Sequence, residues 1–285
     1  MKKRKYFAII GGTLTAIGVS IFLYKYLNNE EKKEETIEDI IQKSKPEQKE
    51  ISKADIISIL NKGLADYQLT IATWYKVSLK MSTDNADTFE DTIRNKIKQG
   101  IDTINSKFAK ELGYELKTFK SDLEKYKNDA QIYPLIAGIE VNINRVVNRK
   151  QPEFKLEEDS SVDPKTYMEF FELSNQQFLW ALYQKYHLIE KKTAAKIQEL
   201  IRSNSSNKYK TEVWEVMDLP KSKNMDVLSY TKLLQAIIVV NHPQESDRIT
   251  QIQANARKTL QNIIKGTKLP ELEKEPLAKY KNSKM

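Results

Sequence analysis

A chain of 285 residues with 47 Lys and Arg, 39 Asp and Glu and no cysteine carries a net charge of +8. The missing cysteine excludes disulfides, thiolate metal sites, an acylated lipoprotein terminus and a cysteine nucleophile. The positive surplus is local: Lys2, Lys3, Arg4, Lys5 and Lys25 supply five of those charges. The rest is near balance with its signs mixed, as on solvated helix faces, and shows no basic stripe of the kind a nucleic acid requires.

Residues 1–27 read as a basic N-terminus and a transmembrane anchor. Lys2 to Lys5 precede an uncharged run from Tyr6 to Tyr24, which Lys25 closes. As a helix, Phe7 to Tyr24 is about 27 Å long against a hydrocarbon core of about 30 Å, so it spans with little tilt. The lysines can snorkel, and Tyr6, Tyr24 and Tyr26 suit the interface. Ala8, Gly12, Ala16 and Ser20 recur every four residues on one face, a ladder that lets another transmembrane helix approach closely. A cleaved signal peptide is the rival reading, since Ala16-Ile17-Gly18 and Gly18-Val19-Ser20 present small residues to a peptidase. Against it, the apolar run continues through Ile21, Phe22 and Leu23. A mitochondrial transit peptide fits poorly, because such peptides are amphipathic and Arg-rich. Lys25, Lys32 and Lys33 after the run are outnumbered by the basic residues before it, a slight preference for the N-terminus inside.

Residues 28–50 are a charged connector in which Glu30 to Glu35 precede Ile37, Ile40 and Ile41, and Pro46 ends any helix there. A helical subdomain is expected over 51–150. Ser52-x-x-Asp55 resembles a capping box, and Ile56, Leu60, Leu64, Tyr67, Ile71 and Trp74 follow on one face. After a turn at Ser82 to Asp87, the cleanest stripe of the chain runs Phe89, Ile93, Ile97, Ile101, Ile104, Phe108, Leu112, with Gly113 as its stop. Leu116, Phe119, Leu123 and Tyr126 predict a third helix. Pro134 opens a fourth, with Leu135, Ile139, Ile143 and Val146 or Val147.

Gln151 to Asp163 is acidic, contains Pro152 and reads as a linker. A second helical subdomain is expected over 164–266. Asp163-Pro164 makes an N-cap and first helical residue, opening a helix rich in aromatics: Tyr167, Phe170, Phe171, Phe178, Trp180, Tyr183 and Tyr186. Thr193 to Arg202, Val213 to Met217 and Asp226 to Val240 predict further helices, and a last one follows Asn241-His242-Pro243 and ends at Gly266. Ile237 to Val240 is the single short β-branched run, and it sits inside a helical pattern. The tail over 267–285, with Pro270 and Pro276, is basic and expected to be poorly ordered. With 8 Gly and 8 Pro in the whole chain, turns are few. The expected fold class is all-α: one N-terminal transmembrane helix, then a soluble multi-helix bundle or irregular helical array. No repeat of fixed period points to a solenoid.

Signatures of chemistry are missing. His187 and His242 stand 55 positions apart in a chain without an HExxH pair. Neither a GxxxxGK[ST] nor a GxGxxG motif occurs. Glu157-Glu158-Asp159 reads as solvated charge, and Asp84 to Asp91 lacks the glycine and spacing of a calcium loop. Asn204-Ser205-Ser206 matches a glycosylation sequon, and Ser283-Lys284-Met285 resembles a peroxisomal address, both patterns that arise readily by chance. No enzyme activity, metal or cofactor is expected. The aromatics at helical spacing read as core first. Tyr167, Phe171, Phe178 and Trp180 are the candidates for a partner-binding face.

These features lead to two expectations of role. The first is a non-catalytic accessory or scaffold subunit of a multi-subunit membrane complex, in the mitochondrial inner membrane, packed through Ala8, Gly12, Ala16 and Ser20 beside other subunits in the lipid bilayer. The second is a docking receptor or tether on the mitochondrial outer or peroxisomal membrane, whose helical domain binds a protein partner.

Overall fold

A computed structural model describes residues 50–81, 86–154, 162–189, 194–203, 206–222 and 225–284. The anchor with Ala8, Gly12, Ala16 and Ser20 lies outside the described residues, as does nearly all of the connector. The described residues are helical and contain no strand. Among them no helix is long and apolar enough to cross a membrane. They divide into two compact units.

The first unit takes residues 50–154 and Ser229–Asn241. Its centre is α1, Lys53–Ser78, opened by Ser52, whose hydroxyl accepts the Asp55 N–H at 3.1 Å. Ile56, Ile59, Leu60, Tyr67, Leu69, Ile71 and Ala72 are all buried, which wraps apolar contact around most of the helix. The expected single stripe is therefore too narrow. Leu64 and Trp74 are only half-buried, whereas Ile59, Leu69 and Ala72 are inside. The reason is that α1 packs on more than one side, against α2 (Ala86–Glu111), α4 (Tyr133–Val147) and α8 (Val227–Asn241).

Two glycines set the α1–α2 seam. A Cβ on Gly100 of α2 would sit 2.7 Å from Thr70 Cγ2 of α1, so the missing side chain permits the close approach. The Tyr67 ring lies against Gly63, where a Cβ would collide with it. From there Tyr67 donates its hydroxyl to the buried Asn105 side chain of α2. Burial, helped by the Asp66 charge, pushes the Tyr67 hydroxyl well above its ordinary pKa, so it remains a donor. Asp66 in turn pairs with Lys232 of α8 at 2.7 Å.

α2 ends as expected at Gly113, φ 83°, where the Tyr114 N–H reaches back to the Ala109 carbonyl at 2.9 Å. α3, Leu116–Tyr126, buries Phe119 and Asp122. The Asp122 carboxylate accepts the buried Ile51 N–H at 2.8 Å and pairs with Lys125 at 2.8 Å, fixing where the chain enters the unit. α4 has Pro134 in its first turn and buries Ile143, Val146 and Val147. It ends without glycine: Arg149 takes φ 54°, lays its guanidinium over Phe89 at 4.5 Å and donates to the Met81 carbonyl at 2.9 Å.

Residues 229–241, read from sequence as part of the later subdomain, pack with the first unit instead. Ala236, Val239 and Val240 meet Leu69 and Ala72 of α1. The physical reason is that α8 is apolar nearly all round, so its pattern does not say which neighbour it serves.

The second unit is built on α5, Pro164–His187, capped by Asp163, which accepts the Thr166 N–H at 3.0 Å. α6 (Ala194–Ser203), α7 (Ser206–Val216) and α9 (Pro243–Ile264) pack on it. Phe170 meets the fully buried Trp214 of α7 edge-on at 5.0 Å. α5 and α9 run in the same direction, since Glu172 pairs with Arg248 near one end and Tyr186 bonds the Ile264 carbonyl near the other. Gly266, φ 73°, then reverses the chain. The tail, expected to be poorly ordered, instead forms a 3₁₀ turn at Pro270–Leu272 and a helix α10 at Pro276–Lys284, because Leu269, Leu272 and Leu277 are buried.

Asp122 generates a test of the first unit. Its bonds to Ile51 and then Lys125 hold the carboxyl below the usual value of 3.8. A depressed folded-state pKa contributes stability above that value and loses it as pH falls further. Asp122→Ala strands the buried Ile51 N–H and should cost about 1–3 kcal/mol in urea unfolding at pH 7. Asp122→Asn keeps an acceptor, so it should cost less and flatten the loss of stability below about pH 3.8. An acid limb with unchanged slope would contradict this role.

Candidate functional site

Among the described residues no group of three or more His, Asp or Glu is placed to hold a metal. His187 stands exposed at the end of α5, edge-on to Tyr183 at 4.5 Å. His242 occupies the N-cap of α9 without a side-chain cap bond. Glu157-Glu158-Asp159, Asp84, the pair Asn204-Ser205 and Met285 lie outside the described residues.

The four aromatics picked as a partner-binding face separate into two pairs. Tyr167 and Phe171 are 1% and 3% exposed, stacked on each other at 6.0 Å. They are core and present no face to a partner, because apolar neighbours surround that part of α5. Phe178 and Trp180 are half-buried beside Leu179, Leu182, Tyr183, Tyr186, Leu260, Ile263, Leu269 and Leu272. This second pair packs on the same cluster of α5 that Leu269 and Leu272 of the tail complete, and the face of α5 that the tail covers forms a groove for Leu269, Leu272 and Leu277.

The groove is read by polar side chains of α5. After reversing at Gly266 the chain runs back along the helix. Tyr183 Oη accepts the Leu269 N–H at 3.3 Å. Gln184 Nε2 donates to the Leu272 carbonyl at 3.0 Å. Gln177 works with both ends of its amide: Nε2 donates to the Glu275 carboxylate at 3.0 Å and Oε1 accepts the Leu277 N–H at 3.2 Å. Gln177 itself is 1% exposed. Three leucines seat in the groove, and the residues between them face solvent or its edge. Thus α5 holds a 3₁₀ turn and the start of α10 through main-chain groups, one carboxylate and three buried leucines.

Sequence reasoning singles out Phe178 and Trp180 but passes over Gln177 and Gln184, and it reads Tyr183 and Tyr186 as core first. The available signals were a glutamine on the inner side of an aromatic helix, and the Leu269-x-x-Leu272 and Leu277 pattern in a tail otherwise rich in Lys and Glu.

A second surface lies in the first unit, on the outer side of α4. Tyr133 and Val141 are 58% and 56% exposed, and Pro134 and Gly138 are exposed between them. A Cβ added at Gly138 would meet nothing within 4 Å. Here a mid-helix glycine has no packing need within the described residues, unlike Gly63 and Gly100.

No protein-family model, curated protein or solved structure matches this chain.

Gly138→Ala should raise thermal stability by about 0.5–1 kcal/mol, because alanine removes backbone entropy from the unfolded chain and clashes with nothing. The same change at Gly100 should lower it. A melting temperature that falls for Gly138→Ala would show that the outer face of α4 is covered within the chain.

Proposed function

We propose that this chain is a non-catalytic, single-pass membrane protein, an accessory or scaffold subunit of a multi-subunit membrane complex, with the mitochondrial inner membrane as its site. Residues 7–24 anchor it, the ladder Ala8, Gly12, Ala16 and Ser20 packs beside neighbouring membrane helices, and the helical body docks on a neighbouring subunit.

The observation that carries this reading is the bare face of α4. Glycine in a helix interior is destabilising relative to alanine, and the open space around Gly138 gives no compensation among the described residues. A partner that lays its backbone closely against Tyr133, Pro134, Ala137 and Val141 supplies the compensation. Its chemistry follows: a helix with an apolar face and small residues at the crossing, since polar groups there would lose water without gaining bonds. The second role, an organelle-surface receptor on the mitochondrial outer or peroxisomal membrane, is favoured by the α5 groove and its hold on a peptide segment.

Native gels of detergent-solubilised membranes separate these roles. The accessory subunit runs stoichiometrically with one large assembly. Gly138→Leu should release the chain from that assembly while its circular dichroism and melting temperature stay near wild type. Leucine at both Gly12 and Ala16 should loosen it further without preventing membrane insertion. A chain that runs alone or in small transient species, with Gly138→Leu without effect, contradicts the proposal.

A further inference from the structure

We infer that the groove of α5 is a peptide-binding site in its own right, that residues 267–284 occupy it in cis as a displaceable strap, and that its trans ligand is a partner segment of the pattern Leu-x-x-Leu-x-x-Glu-x-Leu. This holds whether or not the accessory-subunit role does, because it concerns a different surface.

The strap's own residues define the pattern. Leu269, Leu272 and Leu277 are buried, Glu275 meets the Gln177 amide, and Pro270, Glu271, Glu273, Lys274 and Lys279 are exposed or at the edge. Recognition therefore asks for three leucines, one carboxylate and main-chain groups, and it tolerates change elsewhere. Pro270 and Pro276 restrict the segment before it binds, so less freedom is lost on docking. They open the 3₁₀ turn and α10, where an N–H has no acceptor within the helix, whereas the Leu269 and Leu277 amides are supplied by Tyr183 and Gln177.

Two features mark the strap as separable from the body. First, α9 completes its own packing on α5 before the strap begins. Leu260 and Ile263 join the α5 cluster, and Tyr186 donates to the Ile264 carbonyl at 2.7 Å. Gly266 then turns the chain in a left-handed conformation with exposed Lys265, Thr267 and Lys268 around it. Second, the α5 face beneath the strap sets the polar side chains of Gln177, Tyr183 and Gln184 beside the apolar Leu179, Leu182 and Tyr186, where a permanently covered face has no need of them. A buried polar pair gains little over an apolar pair of the same shape. Uncovered, Gln177, Tyr183 and Gln184 are satisfied by water, so the open groove escapes the penalty of unpaired buried groups. Such a face suits alternate covering and wetting.

In cis, the strap competes at an effective concentration in the millimolar range, so a trans ligand meets a guarded groove. The test uses the full chain in detergent with a protease site in place of Thr267, cut after folding. A fluorescein-labelled peptide with the sequence of residues 267–280 is the probe. Fluorescence anisotropy should show binding to the cut protein at least tenfold tighter than to the uncut protein. Leu272→Asp in the peptide should abolish it, and Gln177→Ala in the protein should weaken it at least tenfold. After the cut strap is dialysed away, the helical circular dichroism should persist. Collapse of that signal would show that the strap is core. Failure of the peptide to bind a folded, stripped protein would also overturn the inference. A dimer of the uncut chain by light scattering, abolished by Leu272→Asp in the chain, would assign the groove to the strap of a second copy instead.

Discussion

Polar side chains carried inside by a helix that is buried on most of its circumference are costly unless they are bonded, and both units of this chain are organised around such a helix. α1 and α5 are each enclosed on more than one side. Their inward-facing polar groups determine what else the unit has to supply. α1 gives the Tyr67 hydroxyl to a side chain of a neighbouring helix, Asn105. α5 gives Gln177, Tyr183 and Gln184 to the main chain and one carboxylate of a terminal segment.

The two solutions differ in consequence. In the first unit the bond is locked by geometry. Gly63 makes room for the Tyr67 ring, and Gly100 lets Thr70 close on α2, so the hydroxyl and Asn105 meet in one register. Asp66, next in sequence to Tyr67, adds the pairing with Lys232 that ties in α8. A seam of this kind specifies a unique packing. In the second unit the bonds go to a segment joined to the body through one reversed turn at Gly266. A contact made through main-chain groups and spaced leucines is less selective about the covalent origin of what it holds.

Much of this was legible in the sequence where the signal is local. Ser52 and Asp163 cap helices as their positions predict, and Gly113 and Gly266 end helices at positive φ. The regular isoleucines of α2 describe a face buried at Phe89, Ile93, Ile97, Ile104 and Phe108. Long-range choices were not legible. α8 is apolar nearly all round, and nothing local directs Ser229–Asn241 to α1. The helix ends at Arg149 and Asp218 adopt positive φ without glycine. For Arg149 the reason is the stacking on Phe89 and the bond to Met81, contacts across 60 and 68 positions of chain that no local pattern contains. The tail read as disordered because its charge is plain and its three leucines gain meaning only opposite Gln177 and Gln184. Of the aromatics chosen for a site, spacing alone did not separate Tyr167 and Phe171, enclosed by α5's neighbours, from Phe178 and Trp180 at the groove.

The proposed hold of α5 on the C-terminal segment, a separable layer bound through polar side chains, is open to direct measurement. Native-state amide hydrogen exchange reads this directly at Leu269 and Leu277, against amides in the middle of α5 such as that of Ser174. Both strap amides should be protected and should exchange through an opening of lower free energy than the opening that exposes α5. Strap amides that exchange without protection would contradict the hold. Strap amides that exchange in step with Ser174 under every denaturant concentration would contradict its separability.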